Sequence, residues 1–282
     1  MPELPEVETV MRGLRGAVQG LRIARVTLHA KSLRKALSPK LKSLVGSRIQ
    51  EFTRRAKYIV MTLDDGRYVL AHLGMTGAFN YIPYEKSAFY VRAKHDHVVI
   101  DFEDGSRLVY HDPRRFGMID LLPEGSLQAH SALCDLGCEP LERQFTGVAL
   151  YTLLQGRRIA VKQAIMDQKI VVGVGNIYAS EALYWARISP LRPACALTLE
   201  ECGTLVKAIK DVLRAAIRAG GSTLRNYRHV GGESGNFQVR LAVYDHAGKA
   251  CPDCTCQVAR TGGIQKIVQG GRSSFYCPRL QG

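Results

Sequence analysis

Residues 58–66 read Tyr58-Ile59-Val60-Met61-Thr62-Leu63-Asp64-Asp65-Gly66. The run is short, apolar and partly β-branched, and it stops at an acidic pair followed by glycine. Such side chains fit a pleated, half-buried surface. Asp-Gly supplies the positive φ that a tight hairpin turn requires. A strand that folds back on itself is therefore expected here. The same design appears on either side, in Arg22-Ile23-Ala24-Arg25-Val26-Thr27-Leu28 and in His97-Val98-Val99-Ile100-Asp101-Phe102, the latter followed by Glu103-Asp104-Gly105. Residues 21 to about 121 thus read as an antiparallel sandwich or barrel.

Ahead of this segment, Pro5 suits the first turn of a helix. Behind it, Val7, Val10, Leu14 and Val18 recur at helical spacing and mark one apolar face. From about 132 onward the pattern turns helical, in Gln163 to Met166, Ile177 to Ala186 and Leu197 to Ala219. The last run ends at Gly220-Gly221, a strong stop signal. Trp185 falls within a helical stretch and reads as core. Residues 222–236 are rich in Gly, Ser and Arg and read as a loop. Residues 237–282 return to strand-like runs with cysteines at turns. The expected fold class is α+β and multidomain, with the change between halves near 125–145. There is no internal repeat.

The chain has 282 residues, enough for a sizeable core, and a formal net charge of +14. An excess of this size points to a polyanion, most often nucleic acid, bound through counterion release. A merely soluble basic surface would carry the same sum. The distribution favours the first reading, because the basic residues cluster in Lys31 to Lys42, Arg54-Arg55-Ala56-Lys57, Arg114-Arg115, Arg157-Arg158 and Arg225 to Arg228. No run of 18 apolar residues is present, and Glu3 and Glu6 stand where a signal peptide would be basic. A cytoplasmic location is expected.

Of eight cysteines, Cys134, Cys138, Cys195 and Cys202 are scattered and read as buried or idle thiols. Cys251, Cys254, Cys256 and Cys277 crowd the tail. Without an export signal, a clustered set reads as a metal site before it reads as disulfides.

Met1 before Pro2 is expected to be removed, leaving a free secondary amine. Such an amine attacks a carbonyl-equivalent carbon to give an iminium, an electron sink that is already charged. An α-amino group has an ordinary pKa of about 7.7–8.0, so a useful fraction is neutral at working pH. Carboxylates at Glu3 and Glu6 can move protons or orient the turn. Plain helix capping explains the same six residues equally well.

Met1-Pro2-Glu3-Leu4-Pro5-Glu6-Val7-Glu8-Thr9 resembles the opening of the formamidopyrimidine-DNA glycosylase family. The resemblance runs the length of the chain: Arg54-Arg55-Ala56-Lys57-Tyr58, His72-Leu73-Gly74-Met75-Thr76-Gly77, Lys94-His95-Asp96-His97-Val98, Asp112-Pro113-Arg114-Arg115-Phe116-Gly117, Val172-Gly173-Val174-Gly175-Asn176-Ile177-Tyr178-Ala179, and Gln269-Gly270-Gly271-Arg272-Ser273-Ser274-Phe275-Tyr276-Cys277. It implies an N-terminal β-sandwich over 1–130, a helix–two-turn–helix region over 131–236, and a zinc-finger-like hairpin module over 237–282. It also implies a monomer that binds double-stranded DNA and is associated with the nucleoid through it. The activity implied is a glycosylase and abasic-site lyase acting on oxidised purines.

By resemblance, Pro2 is the nucleophile on the sugar C1′, Glu3 the proton donor on the lesion side, and Glu6 a supporting group. Lys57 would assist strand cleavage, although a phosphate contact also suits a lysine there. Met75, Arg114 and Phe116 match positions that fill the stack after a base is extracted, a task for a flexible apolar chain, a planar cation and an aromatic wedge. A lone Met and a lone Phe are otherwise most often core. His95, Arg157, Asn176 and Arg272 match further DNA contacts. Gly173-Val174-Gly175-Asn176 ahead of a helix also offers backbone N–H groups to an anion, although such a turn is common. The segment from Ser222 to Phe237 matches the one that closes over the extruded base.

The metal motif departs from the pattern. A structural Zn2+ takes four ligands, usually two Cys-x-x-Cys pairs. Cys251 and Cys254 make the first pair and Cys277 begins the second, but position 280 is Leu280. Zinc with a solvent fourth ligand, zinc with Cys256, and a hairpin held by its own packing all remain open. So do two other functions: excision of oxidised pyrimidines as in the endonuclease VIII branch, against which Leu4 argues, and silent DNA binding, against which the intact Pro2-Glu3 pair argues. A tautomerase-like use of the terminal proline suits neither the charge nor the tail.

Overall fold

The computed structural model describes residues 1–222, 241–254 and 257–281. The chain forms two compact units, Met1–Cys134 with Ala219–Asn236, and Asp135–Arg218 with Phe237–Gly282.

The first unit opens with helix α1 (Leu4–Val18), followed by strands β1 (Ile23–Leu28), β2 (Ile49–Arg55), β3 (Tyr58–Leu63), β4 (Tyr68–His72) and β5 (Ala78–Ile82). A single helical turn, α2 (Tyr84–Ser87), leads to β6 (Asp96–Phe102), β7 (Arg107–His111) and β8 (Met118–Leu122). The strands make two four-stranded antiparallel sheets, in the orders β1-β6-β7-β5 and β2-β3-β4-β8. Val7, Val10 and Leu14 of α1 share one core with Phe52, Ile59 and Met61 of the second sheet and Val98, Leu108 and Tyr110 of the first. Each fully buried side chain of this size contributes about 1.5–3 kcal/mol of transfer free energy. Three consecutive residues of β3, Ile59, Val60 and Met61, are buried. Both faces of that strand are covered, so its sequence is continuously apolar rather than alternating. The expected turns close at Gly66 and Gly105, with φ of 82° and 81°.

The second unit is helical, with α3 (Gly147–Leu154), α4 (Val161–Met166), α5 (Asn176–Trp185) and α6 (Leu199–Arg218), then the short α7 (Val258–Thr261) and the hairpin β9 (Gln265–Gln269)–β10 (Arg272–Tyr276). Helix α6 buries Cys202, Leu205, Ile209, Val212, Leu213 and Ala216 on one face. It meets α3 so closely that a Cβ on Gly147 would lie 2.7 Å from the Gly203 Cα. Among the described residues of the tail, strand structure is confined to the hairpin, and residues 241–254 form turns instead.

One further expectation is corrected. Trp185 is not core: its side chain is 47 % exposed and borders a surface groove with Ala208, Val212 and Ala215 of α6. It is the last residue of α5, where helical spacing no longer dictates burial, and an indole is seldom enclosed completely. Among the scattered cysteines Cys202 is buried, but Cys134 is exposed. The loop expected over 222–236 lies outside the described residues except for Ser222, as does Cys256. No described helix is long and apolar enough to cross a membrane.

Candidate active site

The N-terminal turn of the first unit places Pro2, Glu3 and Glu6 in a buried setting. Glu3 and Glu6 are 4 % and 3 % exposed. Buried carboxylates are costly unless hydrogen-bonded, and Glu6 is. One of its oxygens accepts the Glu3 amide at 2.8 Å, which caps α1, and the other accepts the amide and hydroxyl of Ser222 at 2.8 and 3.1 Å. Helix capping is therefore real, but it uses only half of this carboxylate. Burial lowers the pKa of the Met1 amine. The charges of Glu3 and Glu6 oppose that shift, and those of Lys57 and Arg114 add to it. A terminal amine whose pKa is lowered by burial, beside two carboxylates and a lysine, can act as a nucleophile with proton donors at hand.

Lys57 is only 6 % exposed. It occupies the two-residue turn between β2 and β3, whose register pairs Arg55 with Tyr58. The preceding Ala56 has a φ of 54°, a left-handed conformation that disfavours a residue with a Cβ. Arg54 braces this turn, donating to the Ala56 carbonyl at 2.9 Å and to Glu8 of α1 at 2.8 Å. Strain of this kind persists where the surroundings over-determine it, as at positioned functional groups. Nearby, His72 accepts the Gly74 amide on Nδ1 at 3.0 Å. Burial, then the charges of Lys57 and Arg34, pull its pKa down to about 4, so the ring is neutral.

Met75 and Phe116 are 43 % and 45 % exposed, on the β4–β5 and β7–β8 connections. Neither packs in the core. The two connections are locked together. A Cβ on Gly74 would lie 2.4 Å from the Phe116 carbonyl carbon, and Gly74 has a φ of 63°. The fully buried Asp112 accepts the Thr76 hydroxyl at 2.6 Å and the Gly117 amide at 2.8 Å. The Arg114 guanidinium stacks over the Phe116 ring at 4.6 Å. A rigid base thus carries an exposed methionine and an exposed arginine–aromatic pair. His95 lies beside His111, with ring centres 5.9 Å apart, and His111 bonds the buried Asp96 at 2.7 Å.

In the second unit Asn176 is the first residue of α5, after Gly175 at the cap. Its side-chain amide donates to the Ser273 carbonyl at 2.9 Å and accepts from Lys162 at 2.7 Å. Arg157 donates to the Leu153 carbonyl at 2.9 Å and lies 3.9 Å from Asp167. Arg272 is exposed at the start of β10, after a tight turn in which Gly270 and Gly271 both have positive φ.

Two buried charges escaped the sequence reading. Lys162 is 1 % exposed and donates to Asn176, to the Ser273 carbonyl at 3.1 Å and to the Ser274 hydroxyl at 2.8 Å. Glu181, also 1 % exposed, accepts the amides of Ala242, Val243 and Tyr244 at 2.8–2.9 Å. Burial raises its pKa against the pull of those amides. Each stands in an apolar helical run, where a charged residue on the inner face is the one available signal.

Cys251, Cys254 and Cys277 hold their sulfurs within 4.8 Å of one another, the one cluster among the described residues able to hold a metal ion. The Cys254 and Cys277 sulfurs are 3.8 Å apart. A tetrahedral site with Zn–S bonds of about 2.3 Å has edges of about 3.8 Å, so three thiols fit three vertices. Leu280 packs against the same cluster and offers no donor.

Comparison with known proteins gives a consistent result. Residues 1–119 match the formamidopyrimidine-DNA glycosylase N-terminal domain and residues 136–228 the H2TH domain of the same proteins. A formamidopyrimidine-DNA glycosylase of Rhodospirillum rubrum is 47 % identical over 282 residues, covering all of both chains. Among solved structures, a variant of Lactococcus lactis FPG in complex with Fapy-dG-containing DNA has a TM-score of 0.89 at 31 % identity, covering 99 % of each chain. MutM in complex with DNA containing carbocyclic 8-oxo-G has a TM-score of 0.87 at 32 % identity, again over 99 % of each.

Proposed function

The chain belongs to the formamidopyrimidine-DNA glycosylase family, and on that premise we propose how its own residues carry out base excision. The protein is a DNA glycosylase of base excision repair that acts on lesion-containing duplex DNA. Our reading takes 8-oxoguanine and formamidopyrimidines as the bases removed, through the amine of Pro2 once Met1 is cleaved. The observation that carries it is the buried N-terminal turn, where Pro2, Glu3, Glu6 and Lys57 are all buried and the charges of Glu3, Glu6 and Lys57 act on the terminal amine of Met1.

The nitrogen of Pro2 forms a bond to C1′ as the bond from C1′ to the base breaks. Glu3 supplies the proton that leaves with the base. The C1′–O4′ bond then breaks, O4′ takes up a proton, and the iminium so formed draws electrons from C2′ and makes its hydrogen acidic. Loss of that proton expels the 3′ phosphate, and a second elimination expels the 5′ phosphate, leaving a one-nucleotide gap. Lys57 supplies a proton on the cleavage side. Glu6 holds the turn in place. Phe116, Met75 and Arg114 fill the vacated stack, at an extrusion cost of a few kcal/mol that a damaged base reduces. His95, Arg157, Asn176 and Arg272 hold the phosphate backbone, so affinity falls steeply with salt.

In this scheme residues 1–130, 131–236 and 237–282 work as the catalytic, helical and hairpin parts of one monomer in the cytoplasm. Cys251, Cys254 and Cys277 would hold a structural Zn2+, which would supply no step of the reaction and would help to orient the turn that bears Arg272.

Borohydride trapping on a duplex with one 8-oxoguanine opposite cytosine tests the reading. A covalent adduct is expected from protein with a free Pro2 and none from Pro2→Gly, which still binds DNA. Excision by Pro2→Gly at the wild-type rate would overturn the nucleophile assignment. An adduct formed only on oxidised pyrimidines would move the substrate to that class.

A further inference from the structure

The C-terminal module is fastened to the helices of its unit by contacts that no metal supplies. Phe275 is buried and meets Tyr244 edge to face at 5.1 Å. Ile264, Val243 and Ala242 close the same cluster with Tyr184 of α5. Polar anchors surround it. Gln281, 1 % exposed, accepts the Cys277 amide at 2.8 Å and donates to the Ile188 carbonyl at 3.0 Å. Gln269 donates to the Pro190 carbonyl at 3.0 Å. Lys162 holds Ser273 and Ser274 of β10, and Glu181 takes three consecutive amides of residues 242–244.

A small zinc module unfolds without its ion because the ligands are in effect its core. Here Cys251 and Cys277 belong to a larger apolar cluster, and Leu280 adds side-chain packing where a four-thiol site would need a donor. We infer that the three thiols form an exchangeable site for a thiophilic divalent cation, to which position 280 gives no ligand, and that the ion leaves without unfolding β9–β10. The inference rests on the zinc reading above and extends it. The ion tunes the module but does not hold it together.

Full-length protein loaded with zinc is stripped with dipicolinate, and the amide signals of β9 and β10 are followed by nuclear magnetic resonance. Release is timed with a zinc indicator, and cadmium loading counts thiolates by their charge-transfer absorption. The expected results are three thiolates per cadmium, hairpin signals that persist after stripping, and slower release from Leu280→Cys. A lost outer-sphere partner alone changes metal affinity roughly 10–100-fold, so a gained ligand should slow release by at least about tenfold. Collapse of the hairpin signals on stripping overturns this inference and leaves the zinc reading intact, as does release from Leu280→Cys at the wild-type rate. Wild-type protein that takes up no zinc on titration overturns both.

Discussion

Ser222 donates its backbone amide and its hydroxyl to a single oxygen of Glu6, at 2.8 and 3.1 Å. The second oxygen takes the Glu3 amide. One carboxylate therefore ties the turn that carries Pro2 to the first residue of the segment expected to close over an extruded base.

Glu6→Gln tests this tie. A carboxylate accepts on both oxygens, whereas glutamine must turn an N–H toward either Glu3 or Ser222. An unsatisfied buried donor costs about 1–3 kcal/mol. The variant should lose that much in denaturant melts and excise more slowly, with DNA affinity close to wild type. A melt that overlays the wild type would show that the tie contributes nothing.

His72 makes stability depend on pH. Its folded pKa, about 4, lies below the ordinary 6.5. Between those values the unfolded chain binds more protons, so stability is fully present above 6.5 and is lost as pH falls toward 4. A shift of this size corresponds to roughly 3 kcal/mol. His72→Asn keeps an acceptor for the Gly74 amide and cannot titrate. Melts across pH 4–7 should show a shallower slope for the variant, and equal slopes would refute the assignment.

Met75→Ala and Phe116→Ala separate a wedge role from a packing role. Both side chains are nearly half exposed, and surface substitutions usually stay within about 0.5 kcal/mol. Stability should change little, while the fluorescence of a 2-aminopurine beside the lesion should report slower extrusion. A core-sized loss of about 2–5 kcal/mol without an effect on extrusion would reverse the reading.

Lys162→Met keeps the volume but leaves the Asn176, Ser273 and Ser274 oxygens without this donor. Hydrogen bonds from a charged donor contribute about 1.5–3 kcal/mol each. Removing the buried ammonium also removes its desolvation cost of several kcal/mol, so the net loss in thermal and denaturant melts should be about 2–4 kcal/mol, with hydrogen exchange in β10 accelerated ahead of the rest of its unit. Unchanged exchange in β10 would mean that Lys162 does not hold the hairpin.

Much of the first unit was readable from short-range pattern. The strand runs at 23–28, 58–63 and 97–102, the turns at Gly66 and Gly105, and the helix behind Pro5 all appear where propensity and spacing put them. The intervening strands β2, β4, β5, β7 and β8 were not singled out, since several, such as β5 with Asn80 exposed between Phe79 and Tyr81, are short and mixed in character. Exposure of Met75 and Phe116 was foreshadowed by their polar neighbours, but exposure of Trp185 was not.

Local motifs pointed to the chemistry of this chain through the family they resemble. Pro2 beside Glu3, a lysine in a tight basic turn and the Cys251–Cys254 pair are each legible without any fold, because each depends on residues close by. Partnership of the buried charges belonged to the tertiary structure alone. Glu6 meets Ser222 across 216 positions, and Lys162 meets Ser274 across 112. A buried charge needs whichever donor or acceptor packing brings to it, and desolvation makes that requirement strict. Spacing in the chain carries no record of that choice, so only the folded molecule shows that Lys162 fastens the second unit's hairpin while Glu181 and Gln281 fasten the segments before and after it.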